Sequence, residues 1–242
     1  MRDSSPTFVS EALALFRKDL RAELRTKVAV SSIGLFTLCA LMLIALSTST
    51  LKDTISKYPA KLDLPAWSFD SRFGMLWVLL CFAAFAGMAH SFVHEEETGT
   101  TTALRLSMSP EGVYAGKLLY NFVLILSISV VTTPLYMTAV ELPLGNPVAF
   151  VLTMLSGCIG LAATATFVAA LAAKSHGTGA LYGALGLPML LVFLVLLLNA
   201  AKAVYLENAN TLFVLKAVGG LLSFGALLIA LSALTFHFIW ED

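Results

Sequence analysis

Between His90 and Glu97 the sequence reads His-Ser-Phe-Val-His-Glu-Glu-Glu, which sets two imidazoles and three carboxylates on one short stretch. His90 and His94 stand four apart, so on a helix they share a face and could clamp one metal ion edge-on. They cannot supply both axial ligands of a single haem, because those ligands approach from opposite faces of the ring. The simpler reading, histidines at a membrane boundary satisfied by headgroups, water or a neighbouring helix, outweighs metal binding. Glu95, Glu96 and Glu97 repel one another, and at a helix C-terminus each also opposes the macrodipole by ~0.3–1 kcal/mol. A basic groove on a partner protein would offset that repulsion. Taken alone, the run marks where a helix leaves lipid.

Other constellations carry less. Gly112-Val113-Tyr114-Ala115-Gly116-Lys117-Leu118 looks like a phosphate-binding loop, but it has three residues between its glycines instead of four, and Leu118 replaces the hydroxyl that would hold magnesium. No ATP site is expected in this chain. Cys39, Cys81 and Cys158 are odd in number and widely spaced within apolar stretches, so they read as small packing residues, with no disulfide framework and no metal site. The polar residues offer no nucleophile, base and orienter set, so an enzyme is not expected. Net charge is zero and no basic stripe is present, which argues against nucleic acid as a partner. Ser127, Ser129, Thr132 and Thr133 are expected to bond to their own helix's carbonyls.

These residues hang on long apolar elements. Hydrophobic residues make up 58% of the chain and Asp, Glu, Lys and Arg 12%, against about 25% charged in a typical soluble domain. Six stretches reach the ~20 apolar residues needed to cross ~30 Å of hydrocarbon. The expected spans cover residues 28–46, 72–94, 113–140, 148–173, 179–201 and 213–240, the second carrying Trp77 at one edge. The fold class is therefore all-α, a polytopic membrane protein with six transmembrane helices in one domain over residues 1–242.

Ahead of the spans, residues 8–27 have a helical period. Val9, Ala12, Leu13, Phe16, Leu20 and Leu24 form an apolar stripe, with Arg17, Lys18, Arg21, Glu23 and Arg25 on the polar side. Glu23 can pair with Lys27 at i,i+4. The pattern predicts an interfacial amphipathic helix in the headgroup layer, its basic face toward anionic lipid. Glu11, Asp19 and Glu23 interrupt this stretch, so it is not a cleavable signal. Residues 47–70 read as a polar outer segment, and Pro143, Gly145 and Pro147 break a tight connection from Glu141 to Pro147. With the N-terminus inside, nine Lys and Arg lie on the cytoplasmic side and six outside, so both termini are expected in the cytoplasm. Gly179-x-x-x-Gly183 offers a small-residue face for close helix contact, within one chain or between two copies.

The most informative wet segment follows the second span. Gly99 can end that helix in the left-handed conformation, and Thr100 to Thr102 can cap a short coupling helix holding Leu104, Arg105 and Leu106. Ser109-Pro110 then reads as N-cap and first residue of the third span. Phe92-x-x-Glu95, Glu97-x-Gly99-Thr100, Leu106-x-x-Ser109-Pro110 and Gly116-Lys117 resemble the matching segment of the haem exporter B (CcmB) family. Gly157-Cys158-Ile159-Gly160-Leu161, Lys174-Ser175-His176-Gly177 and Leu185-Gly186-Leu187-Pro188-Met189-Leu190 extend the likeness over most of the chain. The family usually has Asp where Glu95 stands, which keeps the carboxylate. The outer segment 47–70 has no counterpart that aligns.

The resemblance implies a permease subunit of an ABC transporter in cytochrome c biogenesis, with a type-two exporter permease architecture in the bacterial inner membrane. It implies a separate ABC ATPase subunit that binds the ATP, other haem-handling membrane subunits as partners, and a homodimer within the complex. Haem would be the substrate of the complex, with no cofactor bound directly by this chain. ATPase coupling would fall to Phe92, Glu95, Glu96, Glu97 and Gly99, with Leu104 and Arg105 on the coupling helix. An apolar anchor beside a carboxylate suits a hydrophobic slot flanked by basic residues. Pro188 removes one helix hydrogen bond from the fifth span and is either a hinge or a static kink. Two alternatives stay open: an ABC exporter permease for a lipid or drug, and a non-transporting membrane scaffold.

Overall fold

In hydrocarbon every backbone N–H and C=O must be satisfied within the protein, which leaves helices as the only open-ended way for such a chain to cross. The computed structural model describes residues 8–57, 69–97, 108–173, 179–206 and 210–241. Among these residues the chain forms seven helices and no strand: α1 Phe8–Thr26, α2 Val28–Lys57, α3 Phe69–Glu97, α4 Pro110–Val140, α5 Pro147–Ala173, α6 Gly179–Tyr205 and α7 Thr211–Glu241. Five of them, α2, α4, α5, α6 and α7, are long and apolar enough to cross a membrane. The expectation of six spans adds α3, 29 residues long, whose side chains beyond Phe85 lie outside the described residues.

α2 continues as helix to Lys57, past the expected end of the first span at Leu46. Hydroxyls that would otherwise break the helix turn back onto it. Thr48, Thr50 and Thr54 donate to the carbonyls of Ile44, Leu46 and Thr50 at 2.7, 2.9 and 2.8 Å. Part of the expected outer segment is therefore an extension of α2.

α5 is the hub of the bundle, packed against α3, α4, α6 and α7. Lipid supplies no hydrophobic drive between helices, so close contact of small residues must hold them. Gly157 and Gly160 provide it. The indole of Trp77 lies against Gly157, and a β-carbon at position 160 would stand 2.6 Å from the Phe193 ring. Trp77, expected at the edge of its span, is fully buried. It meets Phe73 and Phe193 edge-on at 6.4 and 6.1 Å. The seat over Gly157 is what draws it inward.

From α2 onward, successive helices run in opposite directions. At one end, Arg72 donates to the Glu141 carbonyl at 2.9 Å and the Tyr136 hydroxyl donates to the Arg72 carbonyl at 2.8 Å. There α4 stops at Glu141, whose φ of 52° is left-handed. The Asn146 N–H reaches the Val204 carbonyl at 2.9 Å, while its side-chain oxygen caps α5 through the Ala149 N–H at 3.0 Å. The start of α3, end of α4, start of α5 and end of α6 thus meet. It follows that the end of α3 and the start of α4 both lie at the opposite end of the bundle.

Candidate coupling site

A single residue, Lys27, separates α1 from α2, and its φ of 55° breaks the helix there. The Glu23 carboxylate, expected to pair with Lys27, is engaged with the α2 backbone, accepting the Val30 N–H at 2.8 Å. This elbow sets α1 alongside the first turns of α4 in the same direction. Leu15 is fully buried with Val113 and Tyr114. Gly112 and Gly116, four apart, share one face of α4 and allow the approach. A β-carbon at 116 would stand 2.9 Å from the Ala12 carbonyl oxygen, and one at 112 would stand 2.5 Å from the Glu11 carboxylate. The glycine spacing that looks like a phosphate loop is a landing for a helix.

α1 has three sectors. Ala12, Leu15 and Asp19 are buried toward α4, whereas Val9, Leu13 and Leu24 form an exposed apolar sector. Arg17, Lys18, Arg21 and Arg25 are exposed. The apolar stripe read from the sequence omits Leu15, because the packed face mixes that leucine with two carboxylates and so lowers its own hydrophobic signal.

Those carboxylates make the electrostatics of the site. Glu11 accepts the Ser109 N–H at 3.1 Å and the Ser109 hydroxyl as well. The same Ser109 oxygen accepts the Gly112 N–H at 3.2 Å. With φ −70° and ψ 149° Ser109 is the N-cap of α4, and Pro110 follows at its first position. A carboxylate at a helix N-terminus is favoured by the macrodipole. About two helical turns deeper, Lys117 Nζ lies 3.1 Å from Asp19, their side chains only 3% and 9% exposed. Lys18 approaches the other Asp19 oxygen at 3.3 Å. Lys117, one of the nine basic residues counted on the cytoplasmic side, is thus buried. Burial of such a pair roughly cancels its own Coulomb gain, so its contribution is to fix position.

Phe92, Glu95, Glu96 and Glu97 lie on the last turns of α3, which is helical through Glu97. Their side chains, and those of His90 and His94, lie outside the described residues, as do Gly99, Leu104, Arg105 and the expected coupling helix altogether. The surroundings of Gly179 and Gly183 fall outside them too. Pro188 sits inside α6, exposed, and the helix continues through it. The family model described as CcmB protein matches residues 10–237. The chain belongs to the CcmB family. No curated protein and no solved structure matches it. CcmB proteins are the membrane permease component of a haem-export ABC system, working with an ATPase subunit and other components of that system. This chain is accordingly a multi-pass membrane protein of cytochrome c maturation.

The CcmB match begins inside α1, so the elbow and both of its carboxylates belong to it. Sequence reasoning missed Glu11, Asp19 and the buried role of Lys117. The visible signals were the Ser109-Pro110 cap and the Gly112/Gly116 spacing, which announce a landing but not what lands. Deeper in α4, Ser127 donates to its own helix at the Val123 carbonyl, 2.7 Å away, as expected. Ser129 departs from that expectation, meeting Cys158 of α5 at 3.4 Å. Asn121 donates to Thr166 of α5 at 2.8 Å. Apolar grooves of about 370 and 320 Å³ flank α4, one against α2 and one against α5.

Proposed function

We propose that this CcmB chain converts ATP hydrolysis in a separate subunit into haem export, or into release of a haem-loaded chaperone at the outer face. In this reading the ATPase docks on the segment from Phe92 to Pro110. Phe92 is the apolar anchor, Glu95, Glu96 and Glu97 meet a basic groove, and Leu104 and Arg105 lie on a coupling helix after Gly99. The chain has six spans with both termini in the cytoplasm, sits in the bacterial inner membrane and works as a homodimer beside the other haem-handling subunits. ATP is bound by the partner, and haem is cargo.

One observation supports the docking site most directly. The antiparallel pairing of α3 and α4, tied at the far end through Arg72, Tyr136 and Glu141, puts the end of α3 and the start of α4 at the same end of the bundle. A segment joining two helix ends at one face of the bundle is a short lever. A push there tilts both helices. The test is co-purification of the ATPase with the tagged chain in mild detergent. Glu95→Lys is expected to remove most of the bound ATPase while the chain stays in the membrane at its normal level. Undiminished ATPase recovery would refute the docking assignment.

A further inference from the structure

We propose that α1 is a strut in the coupling pathway, with Glu11 and Asp19 as its positioning residues. They lock it to the first turns of α4, so that the segment 98–107 cannot displace the start of α4 without carrying α1. This rests on the coupling role given above to that segment.

The geometry that carries the inference is a matched register. Glu11 and Asp19 are eight residues apart on α1, and their partners Ser109 and Lys117 are eight apart on α4. At 1.5 Å rise per residue the two contacts stand about 12 Å apart along both helices. One contact would let the helices swivel. Two, in the same order along two parallel helices, stop both sliding and rotation. The contacts also differ in kind. Glu11 holds the serine that caps α4, whereas Asp19 neutralises a buried lysine. Between them Ala12 and Leu15 press on Gly116, where no side chain intervenes. A second sector of α1 exposes Val9, Leu13 and Leu24, an apolar strip suited to the membrane surface. A strut fixed to α4 along one sector and resting against lipid along another gives the lever something to work against.

The two partners of the ion pair are not equivalent. Removing Lys117 leaves Asp19 with Lys18 at 3.3 Å, whereas removing the Asp19 charge takes the counter-charge from a lysine side chain only 3% exposed. Asp19→Asn is therefore the more severe change, and Lys117→Met the milder.

The test uses the assembled complex in native membranes. It measures cytochrome c matured per ATP hydrolysed and ATPase retained per copy of the chain, with chain level fixed by immunoblot. Asp19→Asn is expected to cut the yield per ATP about tenfold with retention unchanged. The exchange Asp19→Lys with Lys117→Asp should restore it to within about threefold, and Asp19→Glu should lose little. An unchanged yield per ATP in Asp19→Asn overturns the proposal. So does loss of the ATPase in that variant, because α1 would then be part of the docking surface. Should Asp19→Asn accumulate poorly, Glu11→Gln gives a second reading. It keeps an acceptor for Ser109 but loses the charge, so a lowered yield per ATP supports the strut and an unchanged one overturns it. Failure of Glu95→Lys to release the ATPase is a different outcome, which sinks the docking site and leaves the measurements on α1 standing.

Discussion

Gly157→Ala puts a single methyl where the Trp77 indole now lies, at the hub of the bundle. The contact falls well inside van der Waals distance, and the indole has nowhere to retreat, since Phe73 and Phe193 hold it from two sides at 6.4 and 6.1 Å. Overpacking of this kind costs about 1–3 kcal/mol. For a chain of this size each kcal/mol moves the midpoint by about 2–4 °C, so a fall of about 6 °C is expected. Trp77→Phe withdraws the second ring and opens the space the methyl needs. Trp77→Ala removes roughly 140 Å³, which at about 24 cal/mol per Å³ costs about 3 kcal/mol; the transfer term drops out, because lipid is as apolar as the core. The decisive comparison is a double-mutant cycle on Gly157→Ala and Trp77→Phe. Midpoints are read in mild detergent as loss of the monodisperse peak of a fluorescent fusion on heating. The double variant should be more stable than the sum of the singles by about 1 kcal/mol or more. Strict additivity, or a Gly157→Ala chain that melts like the parent, would refute the seat.

Cysteines placed at Lys57 and His176, in a chain whose Cys39, Cys81 and Cys158 are replaced by Ala, should react with an impermeant maleimide from outside and inside respectively; the reverse pattern overturns the topology. Arg72→Ala frees the Glu141 carbonyl and one α3–α4 tie, costing about 1 kcal/mol and about 2–4 °C in the same melting assay; an unchanged midpoint means the tie is idle. Pro188→Ala restores a helix hydrogen bond in α6. If Pro188 is a hinge, the variant keeps or raises its melting point and loses cytochrome c yield; an unaltered yield assigns it to a static kink.

The helices were legible in the sequence wherever apolar residues ran long enough to leave no alternative, as from Val148 to Ala173. The details that failed share one cause. Thr48, Thr50 and Thr54 read as the start of a wet loop, yet each satisfies its hydroxyl on its own helix and lets α2 run on. Trp77 read as lying at one edge of its span; its seat depends on Gly157, eighty positions downstream. Leu15 escaped the amphipathic pattern because its neighbours on the packed face are Glu11 and Asp19. In each case the deciding partner is on another turn or another helix, and periodicity along one helix carries no word of it. The site was half legible. Ser109-Pro110 and Gly112/Gly116 marked the place, while the acids of α1 that meet them read only as interruptions of a leader.

An ionic contact is an unexpected way to fasten helices, since a buried pair adds little net stability. At the edge of a membrane it solves a problem that apolar packing does not. An apolar face on α1 would be as content against lipid as against α4, so it could not select one orientation. Buried charges can, because Lys117 has its counter-charge at Asp19 in this register and the α4 cap has its carboxylate at Glu11. Slide α1 by one turn and both are lost together. α4 is less enclosed along its flanks than the hub helix α5. Apolar grooves open on both sides of it, and well under half of its span is buried, against most of α5. A tilt of α4 therefore breaks fewer contacts than a tilt of the hub. Its start is gripped where force would arrive and its sides are left loose, which is the distribution of stiffness that a lever requires.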